Sequence, residues 1–307
     1  VGEKMSKKFQ LLGAPSSAGA FAPGQEKAPK MLREAGLLKQ MNNVGFTVRD
    51  RGDLPGFRYK SDPENPYARN IDFVSENAKR VANNVEDILA MGDNYLVLGG
   101  DCTVGAGAIA GATRDKNIKT GVIYFDMHGD LNTPETVKAG ALDWMGMAHL
   151  LDVTGAHPKF AKFDHRAPVL SNDQFVLLGW DYVGANSDAE RELIIRRRFN
   201  VVPLEEIKKN AESAANQALS LLNDYERIVV HFDVDVVDFA DCPLGENYRH
   251  GEGCTFDQAM VVLATLAHDP RFSGVTISEL NPDHGEEDLS TLKRFCEHFS
   301  KALGSCV

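Results

Sequence analysis

Short apolar segments of strand length alternate along this chain with stretches that have helical periodicity. The apolar segments are rich in Val and Ile and lie at residues 9–13, 95–98, 121–125, 175–178, 227–232 and 274–277. Continuous apolar runs of this length are typical of strands that are buried on both faces of a parallel sheet. We therefore predict a strand at each of these six positions.

Amphipathic helical patterns fill most of the intervals between the apolar segments. The clearest one places apolar side chains at 3.6-residue spacing at Val74, Ala78, Val81, Val85 and Ile88. Further helices are predicted at residues 188–198, 204–222, 256–267 and 288–303. Strand and helix in repeated alternation predict an α/β fold, a single three-layer α/β/α sandwich around a central parallel sheet.

Length and composition agree with one large domain. The chain has 307 residues, 43% of them hydrophobic, and no Pro/Gly/Ser-rich linker divides it. We assign residues 5–307 to this domain and interpret residues 1–4 as an artificial extension before a native Met5. Residues 52–70 and 166–173 are predicted surface loops, of the kind that borders a binding cleft.

The charge balance and the cysteines narrow the classes of partner. With 33 basic and 44 acidic residues the net charge is −11, which argues against nucleic acid and suits metal ions or small cationic ligands. No apolar run is long enough for a transmembrane helix, so no membrane contact is expected. Five scattered cysteines without a CxxC pair argue against a disulfide scaffold and predict a reducing, cytoplasmic compartment.

Two acidic motifs follow predicted strands directly. Asp126, His128 and Asp130 alternate along the chain after one strand, and Asp233 and Asp235 follow another. Alternate residues of an extended chain lie on one side, and ligands of open α/β sheets bind at the carboxyl ends of strands. Grouped carboxylates repel one another unless a cation neutralises them, and the mixed oxygen and nitrogen donors suit a dinuclear Mn-like centre. Taken singly, each Asp also fits the role of a turn former.

A third strand end, at residues 99–103, leaves its cysteine open to two interpretations. Asp101 and Thr103 are suited to capping the helix that begins at Val104. Cys102 fits either a small buried apolar residue or a metal ligand.

In this order, the three strand-end motifs resemble the arginase/agmatinase (ureohydrolase) family. Residues 126–136 read DMHGDLNTPET, similar to the family's DAHxDxNTPxT, and residues 232–235 with Asp238 match its SFDVDxxDP. Residues 279–282 match its EVNP, and the opening at residues 13–38 is also similar. The resemblance implies a three-layer α/β/α fold, two Mn ions bridged by a hydroxide, and a homo-oligomer, either a trimer or a hexamer.

The resemblance also assigns the metal ligands. It implies six of them, namely Cys102, Asp126, His128, Asp130, Asp233 and Asp235. Asp126 and Asp233 would bridge both metals, and Asp130 would complete one of them. At the first ligand position the family has a His, whereas this chain has Cys102. A thiolate is a soft ligand that suits Zn, Fe or Co better than Mn, so we expect an altered identity or occupancy of the first metal.

The substrate residues follow in the same way. Glu279 would hold a guanidinium group through two parallel hydrogen bonds, with Asn132 and Asp181 as further substrate contacts. Asp130 and Glu279 would take part in catalysis. The family's proton-transfer His corresponds to Met145, which cannot transfer protons. Asp143 and His149 are near it in sequence, and His149 is the better substitute by its chemistry.

The sequence thus predicts a metal-dependent hydrolase of a guanidino or amidino compound, such as arginine or N-hydroxyarginine. The bridging hydroxide would attack the guanidinium carbon and release urea or a related product. The alternative is a non-catalytic or regulatory relative with reduced metal binding, because the family's proton-transfer His is absent.

Overall fold

The computed structural model describes residues 7–304, and within that range eight strands form one parallel sheet. The strands are β1 Lys8–Gly13, β2 Thr47–Asp53, β3 Asn94–Leu98, β4 Thr120–Phe125, β5 Phe175–Trp180, β6 Asn200–Pro203, β7 Arg227–Asp233 and β8 Phe272–Ser278. Their order across the sheet is β2-β1-β3-β8-β7-β4-β5-β6. All six predicted strands are confirmed, and the four central ones are β3, β8, β7 and β4.

Helices cover both faces of the sheet. In chain order they are α1 Ala28–Glu34, α2 Leu37–Asn43, α3 Ile71–Ala90, α4 Thr103–Ala112, α5 Gly146–Leu150, α6 Pro158–Ala161, α7 Asp188–Arg197, α8 Leu204–Lys209, α9 Ala211–Leu221, α10 Phe256–His268 and α11 Ser290–Gly304. One apolar core packs α3 to α7 against one sheet face, through side chains such as Val81 and Tyr124. A second core packs the remaining helices against the other face, through Phe232 and Phe295. The predicted three-layer α/β/α sandwich is confirmed.

The two strands that the sequence pattern missed are the edge strands of the sheet. β2 is largely exposed and contains Arg49, Asp50, Arg51 and Asp53, so its pattern does not distinguish it from a polar loop. It also includes the first two residues of the loop predicted at 52–70. Charged, short edge strands protect a sheet from pairing with other chains, and this protection removes the hydrophobic signal.

The helix predicted at residues 204–222 is two helices. Asn210 adopts an extended backbone conformation between α8 and α9, and its side chain accepts a hydrogen bond from the Ser213 amide at 2.9 Å. This N-cap interaction explains the break, because an Asn side chain competes with the continuing helix for backbone hydrogen bonds.

The structure bears on two expectations from the composition, which concern transmembrane helices and disulfides. Between residues 7 and 304, no helix combines the length and the apolar character needed to cross a bilayer. Cys102, Cys242, Cys254 and Cys296 are free thiols, in agreement with the absence of a disulfide scaffold among the described cysteines. Cys306 and the extension proposed at residues 1–4 lie outside the described residues.

Helix α4 packs unusually close to α3, and this contact fixes the position of the α4 N-terminus. A Cβ atom at Gly107 would lie 2.6 Å from the Ala78 carbonyl oxygen, and one at Gly111 would lie 2.3 Å from that of Ala82. Glycines one turn apart therefore face alanines one turn apart. The α4 N-terminus enters the region where the acidic motifs meet.

We expect Gly111→Ala to lower the free energy of unfolding by about 1–3 kcal/mol, because the added methyl group has no room between α3 and α4. Intrinsic helix propensity alone predicts the opposite sign. Urea titration followed by circular dichroism measures the change. Asn216→Ala, at an exposed position of α9, is the control and should be neutral or slightly stabilising. Equal effects of the two substitutions would contradict the close helix contact.

Candidate metal centre

The four central strands deliver their following residues to one cleft. Because β3, β8, β7 and β4 are neighbours and parallel, their carboxyl ends lie at the same edge of the sheet. Cys102 comes shortly after β3, Asp126 directly after β4, and Glu279 directly after β8, while Asp233 ends β7. Cys102, Asp233 and Glu279 line a cleft of about 610 Å³.

One group of possible metal ligands lies at the bottom of this cleft. Cys102, Asp126, His231 and Asp233 are all buried, and one donor atom from each lies within 4.8 Å of the others. The Cys102 thiol donates to Asp233 Oδ2 at 2.8 Å, and its Sγ lies 3.4 Å from His231 Nε2. The group thus combines one sulfur, one imidazole and two carboxylates.

A second group shares Asp126 with the first. It consists of Asp126, His128 and Asp235, again with one donor atom from each within 4.8 Å of the others. His128 Nδ1 lies 3.2 Å from Asp235 Oδ2 and 3.4 Å from Asp126 Oδ1. Since Asp126 belongs to both groups, its carboxylate is placed to bridge two ions.

Unpaired buried oxygens show that these groups fit cations. Among residues 7–304, Asp126 Oδ2 and Asp235 Oδ1 have no hydrogen-bond partner, although both atoms are buried. A buried acceptor without a partner costs free energy, which coordination of a cation would recover. The second group, with oxygen and nitrogen donors, suits Mn²⁺, whereas the thiol of the first group suits softer ions.

The crowding of acidic groups changes their protonation. Burial and the neighbouring Asp235 raise the pKa of Asp126 to about 6, and burial with Asp235 raises the pKa of Asp233 well above its usual range. Burial and the Asp233 carboxylate likewise raise the pKa of the Cys102 thiol. Desolvation lowers the pKa of His128, but the carboxylates of Asp235 and Asp126 outweigh it and hold that pKa well above its ordinary value.

Asp130 departs from its predicted place among the ligands. Its carboxylate accepts a hydrogen bond from the Tyr124 hydroxyl and belongs to neither of the two groups. The residue lines the cleft, and its backbone has a positive φ of 48°. A side chain other than Gly in this conformation is strained, and such strain is concentrated at functional sites.

Glu279 lies beside the first group and, like Asp130, has a positive φ, here 57°. Its Oε1 accepts a hydrogen bond from the Cys102 amide at 2.7 Å, and its Oε2 accepts one from Gln25 Nε2 at 3.1 Å. Glu279 lines the cleft, as the predicted substrate role requires. The backbone amide of Cys102 therefore holds the Glu279 carboxylate close to the thiol of the same cysteine.

The structure contradicts the proton-transfer role predicted for His149. Its Nδ1 lies 2.7 Å from the Met145 carbonyl oxygen, its Nε2 accepts from the His157 amide at 2.9 Å, and its ring packs on Phe160. Helix α5 thus directs this side chain away from the cleft and into the apolar core. Met145 is fully buried and offers no substitute.

The two further substrate contacts have different outcomes. Asn132 lines the cleft and accepts a hydrogen bond from the Ser187 hydroxyl at 2.8 Å. Asp181 lies outside the described lining of the cleft, and its carboxylate accepts bonds from the amides of Val183 and Gly184. Asp181 therefore forms a turn after β5, and the substrate contact expected for it stays a prediction.

The cleft has borders that the sequence did not predict. The described lining residues include none from 52–70 or 166–173. Instead the borders are formed by residues 21–25, 143–144 and 246–249, with Phe21 stacked on Trp144 at a centroid distance of 6.2 Å.

Sequence reasoning also missed His231 and Gln25, and it ranked Asp143 below His149. His231 belongs to an apolar strand segment, yet it stands two residues before Asp233, so strand alternation places both side chains on one face. That alternation was a usable signal. Asp143 and Gln25 belong to short 3₁₀ turns, where no periodicity indicates which side chains face the cleft.

Comparisons with known proteins identify the class. The model of the arginase family matches residues 7–303, and this chain belongs to that family. An arginase from Brevibacillus brevis is 29% identical over 289 residues, which cover 93% of this chain and 94% of the relative. Membership of the family places the chain among the hydrolases.

Solved structures have the same fold. An arginase from Bacillus caldovelox superposes with a TM-score of 0.85 at 23% identity, covering 98% of this chain and 99% of its own. A formiminoglutamase variant from Trypanosoma cruzi with Mn²⁺ superposes with a TM-score of 0.73 at 20% identity, covering 99% and 94%.

We expect the metal-free protein to lose stability as the pH rises from about 4 to about 7, because Asp126 and Asp233 bind protons more tightly when folded. For Asp126, a pKa raised from 3.8 to about 6 corresponds to a loss on the order of 3 kcal/mol. His128 contributes in the same direction. Thermal unfolding after treatment with a chelator measures the slope.

Two comparisons isolate the cause of this slope. Asp126→Asn should flatten it, and saturating divalent metal should reverse it, because metal competes with protons for the same oxygens. A metal-free protein whose melting temperature rises over this pH range would contradict the assignment.

Proposed function

We propose that this protein is a metal-dependent hydrolase of a guanidino or related amidino compound. One observation carries the proposal: the carboxylate suited to an amidinium cation and the metal-ligand groups meet at Cys102. The Cys102 amide binds Glu279, while its thiol binds Asp233. A planar cation held by Glu279 would thus present its carbon to the ligand groups.

The metals would be held by the first group around Cys102 and by the second group around Asp235, with Asp126 shared. Bound divalent ions would lower the pKa of water and make hydroxide available near neutral pH. Asp126 belongs to both groups, and its buried Oδ2 has no hydrogen-bond partner among the described residues, so its carboxylate would keep the two sites close together.

Polar groups around Glu279 support an amidino substrate whose charge and N–H groups are both recognised. Gln25 donates to Glu279 and leaves its own buried Oε1 without a partner among residues 7–304. That oxygen would accept a substrate N–H. Asn132 lies further along the cleft, and the exposed pair Phe21 and Trp144 offers a flat apolar surface at its entrance.

Asp143 is a candidate proton donor in place of the missing His. It lines the cleft, and burial together with Asp101 raises its pKa well above the usual range. A neutral carboxyl can supply a proton to a leaving amine.

A non-catalytic relative is the second candidate, favoured by one observation. Among the described residues that line the cleft, His128 is the only histidine, and it belongs to the metal-ligand groups. If Asp143 does not transfer protons, the protein would bind its guanidino or amidino ligand without hydrolysing it.

A screen for urea and ammonia release across guanidino and amidino compounds tests the function. We expect turnover with at least one of them. Asp126→Ala should lose both metals and Asp233→Ala the metal of the first group, and both variants should lose activity. Metal content is measured by mass spectrometry. Asp224→Ala, at an exposed position outside the described lining of the cleft, is the control and should retain metal and turnover. Full metal loading without release from any compound would support the non-catalytic alternative.

We expect Asp143→Asn to lower kcat by about 10²-fold with unchanged metal content, because the amide cannot donate an acidic proton. The pH profile of kcat should lose its alkaline limb. His149→Gln should leave both the limb and kcat near the original values. The reverse pattern would restore His149 as the proton donor and exclude Asp143.

Two expectations stay predictions. The first is a homo-oligomer, either a trimer or a hexamer, and the second is a cytoplasmic location. Light scattering of the purified protein tests the first.

A further inference from the structure

His231 occupies a position where the family motif SFDVDxxDP begins with Ser. In this chain the motif reads HFDVD, and the imidazole replaces a small hydroxyl two residues before Asp233. Its Nε2 lies 3.4 Å from the Cys102 Sγ. The chain therefore has Cys where the family ligand is His, and it has a His directly beside that Cys.

The surrounding residues are adapted to this imidazole. A Cβ atom at Gly105, in the first turn of α4, would lie 2.1 Å from His231 Nδ1. Any larger residue at position 105 would displace the ring. Tyr124 stacks on its other side at a centroid distance of 4.2 Å and an interplanar angle of 10°. The ring is thus fixed with Nε2 toward the ligand group.

Hydrogen bonds do not explain why the His231 imidazole is buried at this position. Among residues 7–304, Nδ1 has no partner although the residue is buried, and Nε2 has only the thiol within reach. Together with two carboxylates and a thiol, this imidazole completes a set of donor atoms that is typical of a metal site. Asp126, a member of the same group, also has a buried Oδ2 without a partner among these residues.

We propose that Cys102 and His231 together bind the first metal as a thiolate–imidazole pair, and that this site selects Zn²⁺ or Co²⁺ over Mn²⁺. The inference rests on the proposed function and specifies its metal. Zn²⁺ accepts sulfur, nitrogen and carboxylate oxygen in one tetrahedral set, whereas Mn²⁺ prefers oxygen. On binding, the proton that the thiol now donates to Asp233 would leave to solvent.

The site defined by Asp126, His128 and Asp235 contains no sulfur and would keep its preference for Mn²⁺. Two sites of different softness, joined through Asp126, predict a mixed-metal centre.

Titration of the metal-free protein with Co²⁺ is the first test. A Cys102 thiolate on Co²⁺ gives a charge-transfer band in the near ultraviolet, and we expect this band in the unmodified protein. Cys102→Ser should abolish it. Cys296→Ser removes a buried thiol in α11 and should leave the band unchanged. Absence of the band from the unmodified protein would overturn the thiolate assignment.

His231→Ser tests the imidazole. We expect it to weaken Zn²⁺ and Co²⁺ binding at the first site by at least about tenfold, with the thiolate band retained but shifted. Equal affinity and an unchanged spectrum would show that His231 is not a ligand.

Gly105→Ala and His231→Ser form a double-mutant cycle for Co²⁺ binding, and its result differs from that of a general loss of stability. In the unmodified background the methyl group should displace the ring and weaken Co²⁺ binding, whereas in the His231→Ser background it should have little effect. Equal losses in both backgrounds would refute the proposed contact. Circular dichroism confirms that each variant is folded.

The double variant Cys102→His with His231→Ser restores the family pattern and should shift the preference of the first site toward Mn²⁺. No change in the Zn²⁺ to Mn²⁺ affinity ratio would overturn the proposed selectivity. These readouts do not use substrate. A Co²⁺ thiolate band without product release would leave the metal inference intact and refute the hydrolase. Turnover by the unmodified protein, together with unchanged Zn²⁺ and Co²⁺ affinity in His231→Ser, would support the hydrolase and refute the metal inference.

Discussion

Mutual repulsion of buried carboxylates is the constraint around which this molecule is organised. Asp126, Asp130, Asp233, Asp235 and Glu279 are all less than a tenth exposed and lie at one edge of the sheet. No apolar core tolerates such a set unless cations or protons neutralise it. The raised pKa values express this cost, and the unpaired oxygens show where a cation would relieve it.

The scaffold resists this repulsion through backbone geometry. Three parallel strands, β4, β7 and β8, deliver the five acids from their carboxyl ends. Positive φ angles at Asp130 and Glu279 direct their side chains into the cleft. The close contact of α3 and α4 holds the Cys102 amide against Glu279. The stability of the packed layers therefore maintains an arrangement that electrostatics alone would disperse.

The sequence predicts the layers well and the site unevenly, for physical reasons. Buried central strands have continuous apolar runs, so β3, β4, β7 and β8 are recognisable, and so are the acids that directly follow them. The exposed strand β2 has no such signal. Side chains in irregular turns, such as Asp143 and Gln25, carry no periodicity at all. His149 fails as the predicted proton donor because proximity in sequence does not fix the direction of a side chain.

The order of the central strands has a consequence for how the protein is made. Cys102 and Glu279 are hydrogen-bonded across 177 positions of sequence, and β8 inserts between β3 and β7. The cleft is thus closed only by the last strand, so a growing chain has no complete metal pocket until synthesis passes Glu279. Contacts this distant in sequence form late in folding. Uptake of the first metal is then a checkpoint for a finished fold, because β8 lies between β3, which Cys102 follows, and β7, which Asp233 ends.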